Sequence, residues 1–170
     1  SPSDGGERAT THGVLVISTA PSNGEFVRAQ IATEGRYFTP NSTVQFTAVG
    51  ADLAGAAAEI PAEAYWQLSD ATMGTIDENG LFVSNGTTGA VSAQLVYNEK
   101  VVGSYDINIV IPDSIQFSQS TMTVPNGKSA TFTVSAKYGL YDVVTTDADF
   151  MVELGSDDMG VLNGYELIAT

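Results

Sequence analysis

Few side chains in this sequence have a type and spacing that could do chemistry. The single histidine, His12, lies near the start, and cysteine is absent, which excludes disulfides, thiolate nucleophiles and thiolate metal sites. Acid or base catalysis by carboxylates requires two of them held in one cleft. The acidic residues here are scattered, with no run longer than two. Asp4, Glu7 and Arg8 are close together, but at a terminus, where untethered residues fray. No catalytic residue is therefore expected within this chain.

Asp77-Glu78-Asn79-Gly80 clusters carboxylate and amide oxygens of the kind calcium takes, yet it lacks the alternating ligand spacing of an EF-hand loop. The same residues make a turn, with Asn-Gly supplying positive φ angles. Asp157-Asp158 is a weaker version. No metal and no cofactor is expected. Asn41-Ser42-Thr43 and Asn85-Gly86-Thr87 have the form of glycosylation sequons and also sit at expected turns.

Aromatic side chains offer a different chemistry, because their faces stack on the CH groups of sugars. Trp66 lies inside an expected strand, and its counterpart region, Met151-Val152, is apolar, so it reads as a core anchor. Tyr138 and Tyr141 flank a Gly139-Leu140 turn and are the candidate ligand-binding residues, with a glycan as the ligand. Covering the end of the core is the alternative role for them.

The elements that must position these residues are strands. Helix signals are nearly absent: the Ala-rich stretch 54–64 is broken by Gly55 and Pro61, shows no 3.6-residue stripe and reads as a loop. Alternation and β-branched content predict strands over 14–18, 27–33, 43–49, 64–68, 81–84, 90–97 and 101–110. Asn98-Glu99 between apolar flanks predicts a tight hairpin joining the last two.

One phrase occurs twice. Residues 65–84 and 150–169 each read as a strand, a polar turn ending in Met-Gly, a short strand, an Asn-Gly turn and another strand. Pro40-Asn41 and Pro125-Asn126 match as well, as do the strands at 43–49 and 130–136, while 138–146 stands where the Ala-rich loop stood. A spacing near 85 residues fits two copies of a small β domain. The second copy begins after the break at Ile111-Pro112-Asp113 and stops about two strands early. A natural continuation, strands from another protomer, or a differently folded second domain would each account for that. The expected fold class is thus all-β: two tandem sandwiches, the second lacking its last two strands.

The net charge is −14, from 20 acidic residues against six basic ones. A diffuse acidic surface repels nucleic acid and anionic membranes, and no apolar stretch is long enough to span a bilayer. Neither nucleic-acid binding nor membrane insertion is expected. Sparse Lys, abundant Thr, Ser, Gly and Asn, and a β-rich pattern lean toward a secreted or cell-surface bacterial protein.

Trp66-Gln67-Leu68-Ser69-Asp70 followed by Gly74-Thr75-Ile76-Asp77-Glu78-Asn79-Gly80-Leu81-Phe82-Val83 resembles the bacterial Ig-like domains of group-2 type. Copy one has Gly74 where many members have alanine. Copy two lacks the tryptophan and shortens its second turn to Asn163-Gly164. The opening, Pro2-Ser3-Asp4-Gly5-Gly6-Glu7-Arg8-Ala9, resembles the end of the phosphodiester glycosidase catalytic domain, related to the enzyme that removes N-acetylglucosamine from mannose 6-phosphate, although Thr10 and His12 depart from it.

Together these resemblances imply residues 1–19 as a remnant or linker of a preceding domain, an Ig-like sandwich over 20–111 and a truncated one over 112–170. They imply a non-catalytic spacer within a larger, extracellular, glycoside-active protein, whose catalytic domain would be its partner. A carbohydrate-binding or adhesive module contacting cell-wall or host glycans is the alternative.

Overall fold

The structure is a computed structural model that describes residues 22–146, 149–155 and 159–169; the expected strand at 14–18 and the charged group Asp4, Glu7 and Arg8 lie outside these. The chain is all-β, built as two Ig-like units.

In the first unit, β1 (Arg28–Ala32), β2 (Tyr37–Phe38), β3 (Thr43–Gln45), β4 (Thr47–Ala51) and β5 (Tyr65–Leu68) lead to a short 3₁₀ turn, Ala71–Met73. Then come β6 (Gly74–Ile76), β7 (Leu81–Ser84), β8 (Gly89–Tyr97) and β9 (Lys100–Ile109). One layer has the order β2-β9-β8-β5, with β2 parallel to β9. The other is formed by β1-β4 and β3-β7-β6.

The strand expected over 43–49 divides at Phe46, whose amide turns to donate to the carbonyl of Gly80 at 2.9 Å. β3 and β4 are its halves. Alternation works as the sequence pattern requires: Ala29 and Ile31 point inward from β1, Val44 and Phe46 from the divided strand, and Phe82 from β7. They meet Phe38, Val91, Ala93, Leu95, Ile107 and Ile109 from the other layer in a single core. The Asn98-Glu99 hairpin forms as expected, with φ of 55° and 64°, the left-handed pair that a two-residue turn uses to match strand twist.

The second unit has β10 (Ser114–Phe117), β11 (Ser129–Thr131), β12 (Val134–Tyr138), β13 (Tyr141–Val143), β14 (Gly160–Asn163) and β15 (Glu166–Ala169). They pair as β10-β12-β13 and β11-β15-β14. This repeats the β1-β4 and β3-β7-β6 layer of the first unit, including a divided strand: Phe132 donates to the carbonyl of Tyr165 as Phe46 does to Gly80.

The twice-written Met-Gly has a common geometric cause. Gly74 and Gly160 adopt φ of 151° and 144°, and a Cβ on either would run into a carbonyl of the neighbouring strand, Val83 or Ile168. Only glycine fits there.

Two expectations are corrected. Residues 150–152, predicted as a strand by analogy with β5, adopt no regular structure, because β5 is held by pairing with β8 and the described residues contain no counterpart of β8. The segment 138–146, which stands where the Ala-rich loop stood, folds back on β12 as β13 about the Gly139-Leu140 turn; the first unit makes only a single bridge there, Ala51 to Ala57. Asn41 and Asn126 also play different parts, since the left-handed position falls on Asn41 in one copy and on Gly127 in the other.

Candidate functional site

The residues singled out from the sequence fall into two places. Most are turn or core positions in the first unit, whereas Tyr138 and Tyr141 lie at the joint between the units.

In the first group, Asp77 Oδ1 accepts hydrogen bonds from the amides of Asn79 (2.8 Å) and Leu81 (2.9 Å), and Gly80 has φ of 80°. That carboxylate is organised to close a turn. Among the described residues no three His, Asp or Glu side chains group as a metal site would require. Asn85 uses its amide in the same way, donating from Nδ2 to the Thr72 carbonyl at 2.7 Å and accepting from the Thr87 amide at 2.9 Å. Trp66 is half-buried and packs on the core, 6.3 Å from the Phe46 ring. Asp157 and Asp158 lie outside the described residues, as does His12.

The joint is built from backbone upward. Strand β9 runs on to Val110, whose amide donates to Phe38 O at 2.8 Å, and on the far side of β2 the amide of Val144 donates to Tyr37 O, also at 2.8 Å. Val144 bridges Phe38 in parallel. The two-residue strand β2 is thereby held between β9 of its own unit and the exit of β13 from the other, so the first unit's layer gains an edge from the second. Gly35 permits this approach: a Cβ there would lie 2.7 Å from Val144 Cγ2.

Side chains reinforce it. Tyr37 stacks on Tyr141 with centroids 4.8 Å apart and rings 14° from parallel, and on Tyr138 at 6.1 Å and 26°. Val110, Ala136 and Val143 are buried together beneath Tyr37 and Phe150. Nearby, Arg36 lies 4.3 Å over the Tyr105 ring and donates to Asp106 O, while the Tyr105 hydroxyl donates to Gly35 O. The structure thus brings Tyr138 and Tyr141 together, with Tyr37 as a third member. Tyr138 and Tyr141 remain 43% and 58% exposed, and Tyr138 and Tyr37 border a groove of about 490 Å³ together with Thr88, Asn108 and Ile111. Aromatic faces beside amide and hydroxyl groups can stack on and hydrogen-bond a sugar.

Sequence reasoning missed two residues of consequence. Tyr37 carries no local signal, since its partners lie about a hundred positions away. Asp52 does carry one: an aspartate at the end of a strand followed by small residues is the pattern of an Asx turn. Its side chain is fully buried, accepting from Ser22 Oγ (2.8 Å) and the amides of Asn23 and Gly24 through Oδ2, and from the amides of Ala54 and Ala56 (both 2.9 Å) through Oδ1. The Ser22 hydroxyl, and then the amides, hold its carboxyl down at about 2 against the desolvation that opposes them. This group ties the segment before β1 to the end of β4, and it is structural.

No family model matches the chain, and no curated protein matches it either. Among solved structures it is similar to FdeC, an Escherichia coli adhesin, with 14% identity and a TM-score of 0.42 over 72% of this chain. The chain spans 43% of the length of that structure.

Proposed function

We propose that this chain is a non-catalytic module of a secreted or cell-surface protein, in which two Ig-like units are locked in one relative direction to space and present a neighbouring part of the polypeptide. The joint carries this reading. A flexible connection needs no stacked aromatics and no backbone pairing across it, whereas here Val144 extends the β2 edge and three tyrosine rings pile up beside it. The finer expectation, an accessory region beside a phosphodiester glycosidase-like catalytic domain, rests on the resemblance of residues 2–9 alone.

NMR relaxation on the whole chain tests the spacer reading. The two units should report one shared rotational correlation time; separate tumbling times would sink it. Incubation with glycosyl phosphodiesters should give no turnover.

A second reading, an adhesive module that binds glycans directly, is favoured by the groove beside Tyr37 and Tyr138 with Thr88 and Asn108 on its walls. A glycan array probes it. Saturable binding that is abolished by Tyr138→Ala would support adhesion, and a blank array would remove it.

A further inference from the structure

The second unit presents an apolar face where the first unit has a core. Strand register sets the correspondence: Ile31 pairs with Ala48 and Phe117 with Val134, Phe82 with Val44 and Leu167 with Ala130, and Gly74 and Gly160 occupy the same place, with Met73 and Met159 just before them. Inward residues of the first unit lie under β8 and β9. Their counterparts are less covered: Ile31 is 6% exposed against 53% for Phe117, and Met73 3% against 51% for Met159, while Phe132 and Leu167 are half-buried where Phe46 and Phe82 are enclosed. A hollow of about 410 Å³ opens on that face between Phe117, Met122, Phe132, Leu154, Met159 and Leu167.

Two backbone segments flank the hollow without strand partners. In the first unit β2 pairs with β9 and β5 pairs with β8. The corresponding segments, 121–124 and 150–154, form no strand. In the first unit two strands, β9 and β8, stand between those edges, a span of about 14 Å at ordinary strand spacing. Apolar floor and unpaired edges at both sides describe one missing object.

We propose that this face is a receptor for a two-stranded antiparallel β-hairpin with the chemistry of β8–β9: alternating apolar residues on one face and a tight turn at its far end. It enters beside Ala169, as β8 follows Ser84 through the link 85–88. Its first strand pairs with 150–154 and its second runs parallel to 121–124. Its inward residues cover Phe117, Phe132 and Leu167.

The probe is the chain's own hairpin: a second copy of residues 85–111 joined after Thr170. Three readouts are expected. Binding of a hydrophobic dye falls, amides at 121–124 and 150–154 exchange about tenfold more slowly or better, and Met159 becomes resistant to peroxide while Met151, whose counterpart Tyr65 points outward, stays reactive. Emission of Trp66, the only tryptophan, reports that the first unit is intact throughout. The same extension carrying Leu95→Asp and Ile107→Asp in the copied hairpin should give none of these effects.

An appended hairpin that leaves Met159 reactive and the amides unprotected overturns the proposal, as does equal protection by the Asp-bearing extension. Sedimentation of the unextended chain is the remaining arm. A monomer is expected, and a dimer that shields Met159 would assign the face to a second copy instead.

Discussion

At the scale of single residues, the side chains that looked chemical turn out to organise backbone. Asp52 is the clearest case, with five donors converging on one buried carboxylate. Its folded value of about 2 lies below the ordinary 3.8, so the group favours the folded state fully above about pH 4 and loses that contribution as pH falls from 4 toward 2. Melting temperatures measured across that range should therefore decline, and Asp52→Asn should flatten the decline while lowering stability at neutral pH. Asp70 shifts in the same direction, held down first by the Thr72 hydroxyl and then by the Thr72 amide. Trp66 belongs to the core by contact with Phe46. Trp66→Ala should destabilise the first unit by about 3 kcal/mol, toward the low end for a large aromatic since the ring is half-buried, as read by urea denaturation.

At the scale of elements, alternation was legible wherever both sides of a strand had partners in the same chain. β1, the divided strand β3–β4, and the β8–β9 hairpin all follow from period-two patterning and turn chemistry, because the residues that decide them are local. Elsewhere the availability of a pairing edge decided. Residues 150–152 have the apolar character of β5 but no β8 to pair with, and a strand without a ladder has unsatisfied amides and no reason to stay extended. Tyr141–Val143 became a strand because β12 offered it a free edge.

The joint is an element-scale feature too, and Gly35 is its tightest point. Gly35→Val would force the β-branched, stiff Val144 away from β2. The expected outcome is separate tumbling of the two units with the melting of the first unchanged, measurable by NMR relaxation and by Trp66 emission.

At the scale of the whole molecule, the two units differ in how much apolar surface they bury. The first has a continuous core of fully enclosed side chains. The buried cluster of the second, Val110, Ala136 and Val143, is the joint itself and borrows Tyr37 from its neighbour. Cooperative stability follows burial, so amide exchange should divide into two tiers: slow across β8 and β9, and faster by orders of magnitude across β14 and β15. Equal protection in both would contradict this account. Among the described residues no helix is long and apolar enough to cross a membrane.

The amino-acid sequence by itself determined the all-β class, the doubling of a sandwich layer and the position of its turns, since strand period, Asn-Gly pairs and the Met-Gly of each copy act over a few residues. Comparison of its copies also shows the turns and short strands of one layer written twice. Only the tertiary structure decided how the apolar residues of the second copy and the tyrosines are placed. Tyr37, Tyr138 and Tyr141 are distant along the chain and meet because β2 lends its edge to Val144. Phe117 and Met159 look like core residues in the sequence and stand in the open, because burial depends on what lies opposite, and a linear pattern of apolar residues carries no record of that.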